Sequence, residues 1–400
     1  MLTGAQVQRR TMPDCRGACL VSALICVCVG LAWQLLTVHF TYGGNQTGLF
    51  VTGSRFPSPP SLVSENLYVL PNSTGYDGQM YHYVAHDPFL RRGFAAYVDS
   101  ARLRYRRILL PGLAFILALG RQPAIDVSYI ATNLLFLFLG AWWLGRYLAF
   151  LGHSPALSIL LVLAPAVVTS LDRLTVDLSL TGLSMGFLYY ARIESRWRLY
   201  ALLVLACLSR ETGFALTLAF CLSRLAPHRF AQAAFYSTTA LPAGLWYLFV
   251  NSRTPDLGSV YGAELIPLAG IAKTLLHPFS YPFSPAVNGV ITALDYLVMA
   301  GILMACCLAF SALYRNRAEY IEIAISLWAL AALCLPYEFW QDCCSSGRVF
   351  TPLLILLVLP GVAHLSITRA LPLILVSPRT WLQLVSPMLG IVRGILHYWR

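Results

Sequence analysis

Residues 18–39 read ACLVSALICVCVGLAWQLLTVH, twenty-two positions without one charged side chain. Wound as a helix at 1.5 Å per residue, such a run reaches about 33 Å, enough to cross a hydrocarbon core of about 30 Å. The run lacks a convincing small-residue cleavage site and reads as a retained anchor rather than a signal peptide. Further apolar runs follow at 124–145, 155–171, 174–191, 199–208, 212–224, 230–250, 286–313, 319–337 and 349–365. Composition agrees: of 400 residues, 58% are hydrophobic and only 11% charged. An ordinary soluble domain carries roughly 25% charged residues, and a disordered chain is far less apolar. The runs are continuous rather than alternating, which argues against a membrane β-barrel. The expected fold is all-α, a polytopic transmembrane bundle of about ten spans, some of them short.

Basic residues in short loops orient such a bundle. Arg9, Arg10 and Arg16 place the N-terminus in the cytoplasm, and the next loop, 40–123, outside. The loops holding Arg146, Arg192 to Arg198, Arg224 to Arg229, Arg315 to Arg317 and Arg369 then all face the cytoplasm. This holds if 108–120 lies along or dips into the membrane surface and 199–224 is two short helices meeting outside. Four segments result: a cytoplasmic N-terminus with the first span (1–39), a long outer loop with juxtamembrane helices (40–123), a bundle with a sunken outer cavity (124–365), and a cytoplasmic amphipathic tail (366–400).

The net charge is +11, and the 28 basic residues are 27 Arg and the single Lys273. Codon bias in a GC-rich genome explains such a count; so does a need for bidentate guanidinium contacts to phosphate or carboxylate. The arginines are scattered through short loops, which argues against nucleic acid as a partner. Cysteines lie mostly inside apolar runs, and none has zinc-ligand spacing.

Chemistry concentrates in the outer pieces. Residues 75–88 read GYDGQMYHYVAHDP. Gly75 and Gly78 bracket Asp77, so the backbone there can turn tightly and approach a ligand closely. From Gln79 the chain can be helical, with His82 and His86 one turn apart, and Asp87 before Pro88 marks the helix end. An aromatic belt at headgroup level accounts for Tyr76, Tyr81 and Tyr83 but not for Asp77. Next come Arg102, Arg104, Tyr105, Arg106 and Arg107, a guanidinium cluster suited to a lipid phosphate, or to neutralising anionic headgroups. Asp172, Arg173 and Asp177 sit between two short runs, and Arg210 and Glu211 between two shorter ones. The shorter runs, of ten to thirteen residues, span only about 15–20 Å, so the turn joining them is sunk below the outer surface. There a charge must pair or face water. Glu338, Asp342 and Arg348 complete the outer set around Cys343 and Cys344.

The pattern resembles the GT-C superfamily, integral-membrane glycosyltransferases that take sugars from polyprenyl-phosphate carriers. One span, a long outer loop with an acidic residue, then many spans is that architecture. The 75–88 segment and Tyr105 to Pro111 look like a bacterial branch of it. The Leu171 to Asp177 turn is similar to one in the lipid A aminoarabinose transferases, and Ser209 to Thr212 is placed like their basic motif.

The resemblance implies a catalytic carboxylate at Asp77. It also implies donor-phosphate binding by Arg104, Arg106, Arg107, Arg210 and Arg348. Substrate orientation would fall to Tyr76, Gln79, Tyr81, His82, Asp87, Tyr105, Asp172, Arg173, Asp177 and Glu211. Gly78 stands where the family's adjacent acidic residue would be, so a divalent cation is possible but not supported by an acidic pair; no metal ligand is assigned and no other cofactor is certain. The implied partners are a polyprenyl-phosphate-linked sugar donor, a glycan or lipid acceptor and membrane lipid, at a bacterial inner membrane with the site on the periplasmic face. A transporter or flippase for a lipid-linked or anionic solute also uses broken helices and intramembrane charge. It would not collect its charges on one face. A non-catalytic scaffold leaves Asp77 unexplained.

Overall fold

The structure, a computed structural model, describes residues 15–225, 227–255, 266–341, 343–362 and 366–398. Arg9, Arg10 and Asp342 lie outside the described residues, as do the side chains of Cys343 and Cys344. The described chain is overwhelmingly helical, and its only strands are β1 (Thr52–Gly53) and β2 (Val69–Leu70), a short parallel pair. Among the described residues, three helical segments are long and apolar enough to cross a membrane: Arg16–Thr41, Gln122–Phe150 and Pro285–Arg315.

Helix α1 (Arg16–Thr41) leads into the long 40–123 loop. That loop holds α2 (Asp77–His86), α3 (Ala101–Arg106) and α4 (Leu109–Leu117). Helix α4 buries Leu109, Leu110, Pro111 and Ala114, so part of the 108–120 run packs on protein. Helix α5 (Ile125–Phe150) is the central post, packing against α1, α4 and α7 (Asp177–Arg192). Between α5 and α7 the backbones nearly touch at Gly140 and Gly182, where a Cβ on Gly140 would stand 2.9 Å from the Gly182 Cα. Only small residues permit that approach.

The 155–171 run is not a straight span. A 3-10 helix, Pro155–Leu163, meets α6 (Pro165–Arg173) at a bend of 59°. Helix α6 then stops at Leu174, whose φ of +44° is left-handed, and α7 starts at Asp177. This buried turn is satisfied from the side. Tyr129 Oη donates to the Leu174 carbonyl at 3.1 Å, and Asn133 Nδ2 to the carbonyls of Ser170 and Thr175 at 3.3 and 3.4 Å. Backbone polar groups out of water need such partners.

Next come α8 (Arg196–Ser209) and α9 (Phe214–Leu225), joined through Arg210 by one 3-10 turn. Arg210 is extended, so 199–224 forms two short helices with a break between them. The 230–250 run is likewise interrupted, by a 3-10 turn at Thr238–Ala240 before α10 (Leu241–Arg253). Helices α11 (Pro285–Arg315), α12 (Tyr320–Leu333), α13 (Cys343–Val349), α14 (Thr351–Val362) and α15 (Ile367–Trp381) complete the part that frames the site. Helix α12 has 14 residues, fewer than the sequence suggested for 319–337, because Cys334 to Pro336 leave the helix ahead of the next turn.

Candidate active site

The geometry starts at the N-terminus of α2. Tyr76 is extended and Asp77 is the first helical residue, two positions before the start expected from the sequence. Gly75 has φ +73°, a left-handed conformation that costs glycine little. A Cβ on Gly78 would collide with the Arg173 carbonyl oxygen and lie 2.9 Å from that of Phe50. The two glycines therefore let the head of α2 press onto the buried α6–α7 turn.

Pressed there, Asp77 meets two guanidinium groups. Arg104 Nη2 donates to Asp77 Oδ1 at 2.8 Å, and Arg348 Nη2, from α13, donates to Oδ2. Arg348 also reaches Asp177 Oδ2 through Nη1 at 3.3 Å, and Arg210 Nη1 pairs with Asp177 Oδ1. Asp99 anchors the other end, taking Arg104 Nε at 3.0 Å and Nη2 at 2.7 Å. Arg107 Nε donates to Glu211 Oε2 at 2.9 Å, and its Nη1 to Tyr81 Oη at 2.9 Å. Tyr76 is approached by the guanidinium groups of Arg173 and Arg348, 4.7 and 5.0 Å from its ring centre, distances at which cation–π attraction acts. Acids and bases thus alternate: Asp99, Arg104, Asp77, Arg348, Asp177, Arg210.

These groups line a cavity of about 480 Å³. Asp77, Asp99, Arg104, Arg107, Arg210, Glu211, Glu338 and Arg348 form its polar surface, and Phe56, Leu335, Phe339 and Phe350 its apolar wall. A few convergent polar groups in an apolar concavity is the usual form of a ligand site. The Asp77 side chain is 22% exposed, against 5% for Arg104 and 6% for Arg348, so the carboxylate is what a ligand would meet. Burial alone would raise its pKa, but Arg104 and Arg348 outweigh burial and hold it well below the usual carboxylate range. Asp77 is therefore ionised throughout the neutral range.

Of the residues singled out from sequence, the cavity brings together Tyr76, Asp77, Arg104, Arg107, Arg210, Glu211 and Arg348. Asp177 and Tyr81 stand directly behind them as hydrogen-bond partners. The others are placed elsewhere. Arg106 points away, donating to Asn251 Oδ1 at 2.9 Å and facing the Tyr247 ring. Gln79 is fully buried, accepting from Gly53 N at 3.0 Å and donating to Tyr83 Oη at 3.0 Å. Asp87 closes the turn after α2, accepting from the amides of Arg91, Arg92 and Phe94. Tyr105 is buried in a separate apolar cluster with Met80, Tyr83 and Val84. His82 faces Asp126, and Asp172 accepts from Trp33 Nε1 at 3.2 Å and from Arg173. The orienting and phosphate-binding roles expected of Gln79, His82, Asp87, Tyr105, Asp172 and Arg106 find no support in these positions.

Asp99 went unrecognised in the sequence. Its signal is an acidic residue just ahead of α3, five positions before Arg104 and able to hold it. Comparison with known proteins gives no match for this chain, whether against protein-family models, curated proteins or solved structures.

Proposed function

We propose that this chain is a membrane glycosyltransferase of the GT-C kind. It would transfer a sugar from a polyprenyl-phosphate donor, with inversion, to a hydroxyl of a glycan, lipid or polymer acceptor on the outer face. One observation carries the reading: an accessible carboxylate, Asp77, is set among four arginines drawn from three distant parts of the chain around one cavity.

In the reaction, the acceptor oxygen attacks the anomeric carbon as the bond from that carbon to the phosphate oxygen breaks. The electron pair leaves with phosphate, and the acceptor's proton goes to Asp77. A positioned base and preorganised positive charge are what that step requires. Each cavity arginine is already paired with a carboxylate, so a donor phosphate would compete with those carboxylates for guanidinium hydrogen bonds. Phosphate drawing Arg348 and Arg104 off Asp77 would leave the carboxylate more basic at the moment it has to accept a proton. Measuring sugar release from a polyprenyl-phosphate donor in membranes tests the assignment directly.

Two neighbouring arginines separate this reading from simple surface charge. Lysine keeps the charge but loses the two-pronged contact. Arg107→Lys is expected to weaken donor use by roughly tenfold, the scale of one charge-assisted hydrogen bond. Arg106→Lys should leave donor use near the parent level, since Arg106 faces Asn251. Equal loss in both variants, with unchanged solubilised yield and melting, would tie the effect to charge and not to the cavity.

The reading also needs the α8–α9 break to face outward, within a bundle of about ten short and long spans. A cysteine introduced at Thr212 is expected to react with a membrane-impermeant thiol reagent added from the outer side, well above the parent chain. Labelling from the cytoplasmic side alone would invert the orientation.

A further inference from the structure

Five and nine residues along α2 from Asp77, two histidines belong to a second cluster outside the cavity. His82 and His86 lie one turn apart on α2, and Asp126 is in the first turn of α5. His82 Nε2 is 2.7 Å and His86 Nε2 3.1 Å from the same oxygen, Asp126 Oδ1. All three ligand atoms lie within 4.8 Å of one another. The imidazole planes meet at 84°, and each ring turns its Nε2 towards the shared oxygen. We propose that His82, His86 and Asp126 bind a divalent metal ion, Zn2+ by their ligand chemistry, and so fasten the helix that carries Asp77 to the central helix of the bundle.

The hydrogen bonds around His86 carry the argument. Its Nδ1 is 2.7 Å from Gln122 Oε1, and with that oxygen as acceptor Nδ1 bears the ring proton. A neutral His86 then turns a bare Nε2 towards the Asp126 carboxylate. Two lone-pair groups at that distance need a positive charge between them, either a second proton or a metal. Both histidines are 1% exposed. A metal ligated by Nε2, with Nδ1–H given to an acceptor in the next shell, satisfies every group on His86.

The donor set selects the ion. Two imidazoles and one carboxylate suit zinc, whereas Ca2+ and Mg2+ take oxygen ligands. Zinc bonds of about 2.0–2.2 Å put tetrahedral ligands roughly 3.3 Å apart, so the two N–O pairs must open by a few tenths of an ångström. Asp126, 17% exposed, leaves a side from which water can take the fourth position. His82 Nδ1 is buried without a partner, so the metal form leaves one donor unsatisfied against three ligand bonds gained. With the Gln122 amide turned over, protons alone would close the cluster, and that is the rival the experiment must separate. None of this rests on the transferase reading.

The full-length chain, solubilised in detergent, is stripped with EDTA, reloaded with ZnCl2 and freed of excess. Zinc content and melting temperature are then measured. About one Zn2+ per chain and a raised melting temperature are expected, with no such rise from MgCl2 or CaCl2. His86→Ala and Asp126→Asn should abolish retention. Gln122→Leu keeps all three ligands and the fold, and is expected to weaken zinc affinity by roughly 10–100-fold. Wild-type protein that retains no zinc, or zinc that binds equally well in wild type and Gln122→Leu, overturns the site.

Discussion

Asp77→Asn is expected to lower sugar transfer by about two to four orders of magnitude, the usual worth of a positioned general base. The amide keeps the shape of the side chain and one acceptor oxygen, so either Arg104 or Arg348 still has a hydrogen-bond partner. Donor affinity should be unchanged or slightly higher, because the guanidinium groups lose an anionic competitor for phosphate. Transfer and donor binding must therefore be measured separately. A fully active Asp77→Asn would remove the base and favour transport of a lipid-linked or anionic solute. Asp87→Asn is the matched control: Asp87 holds only backbone amides at the end of α2, so its variant should lose stability before it loses chemistry.

The second large effect is on stability. Asp177 is 3% exposed and holds both Arg210 and Arg348. Replacing it with Asn strips a buried guanidinium of its counter-charge, which typically costs about 3–5 kcal/mol. The detergent-solubilised variant is expected to melt well below the parent. Arg210→Gln in the same chain should recover part of the loss, since the two changes together leave no lone buried charge at that point. A double-mutant cycle measures that recovery. Simple additivity of the two losses would show that Arg210 and Asp177 are not energetically coupled.

Much of the site was legible before the fold. Asp77 between two glycines marks a carboxylate on a backbone that must turn and approach closely, and Gly75 and Gly78 do both. Breaks at 171–177 and 209–212 follow from charged residues interrupting apolar runs, and the helices do break at Leu174 and Arg210. What misled was treating every polar residue of 75–107 as facing one place. Arg104, on α3, and Arg107, just past its end, are three apart and both reach the cavity, whereas Arg106 projects elsewhere; helical spacing hints at that separation. Gln79, Asp87 and Tyr105 look chemically able, but their partners are local backbone and a second apolar cluster.

Hydropathy and charge add up along the chain, so the sequence alone settles that the chain is helical, strongly apolar and has charge-bearing breaks between short helices. Pairing does not add up along the chain. Asp77 meets Arg348 across 271 positions, and the two histidines meet Asp126 across 44 and 40. Those encounters depend on how far each helix is rotated and how deep it sits. Both are set by packing such as the Gly140–Gly182 crossing and the seat of α2 on the Arg173 carbonyl. A rotation of one residue, about 100° on a helix, exchanges a guanidinium in the cavity for one facing away, and no local pattern records which of the two packing allows.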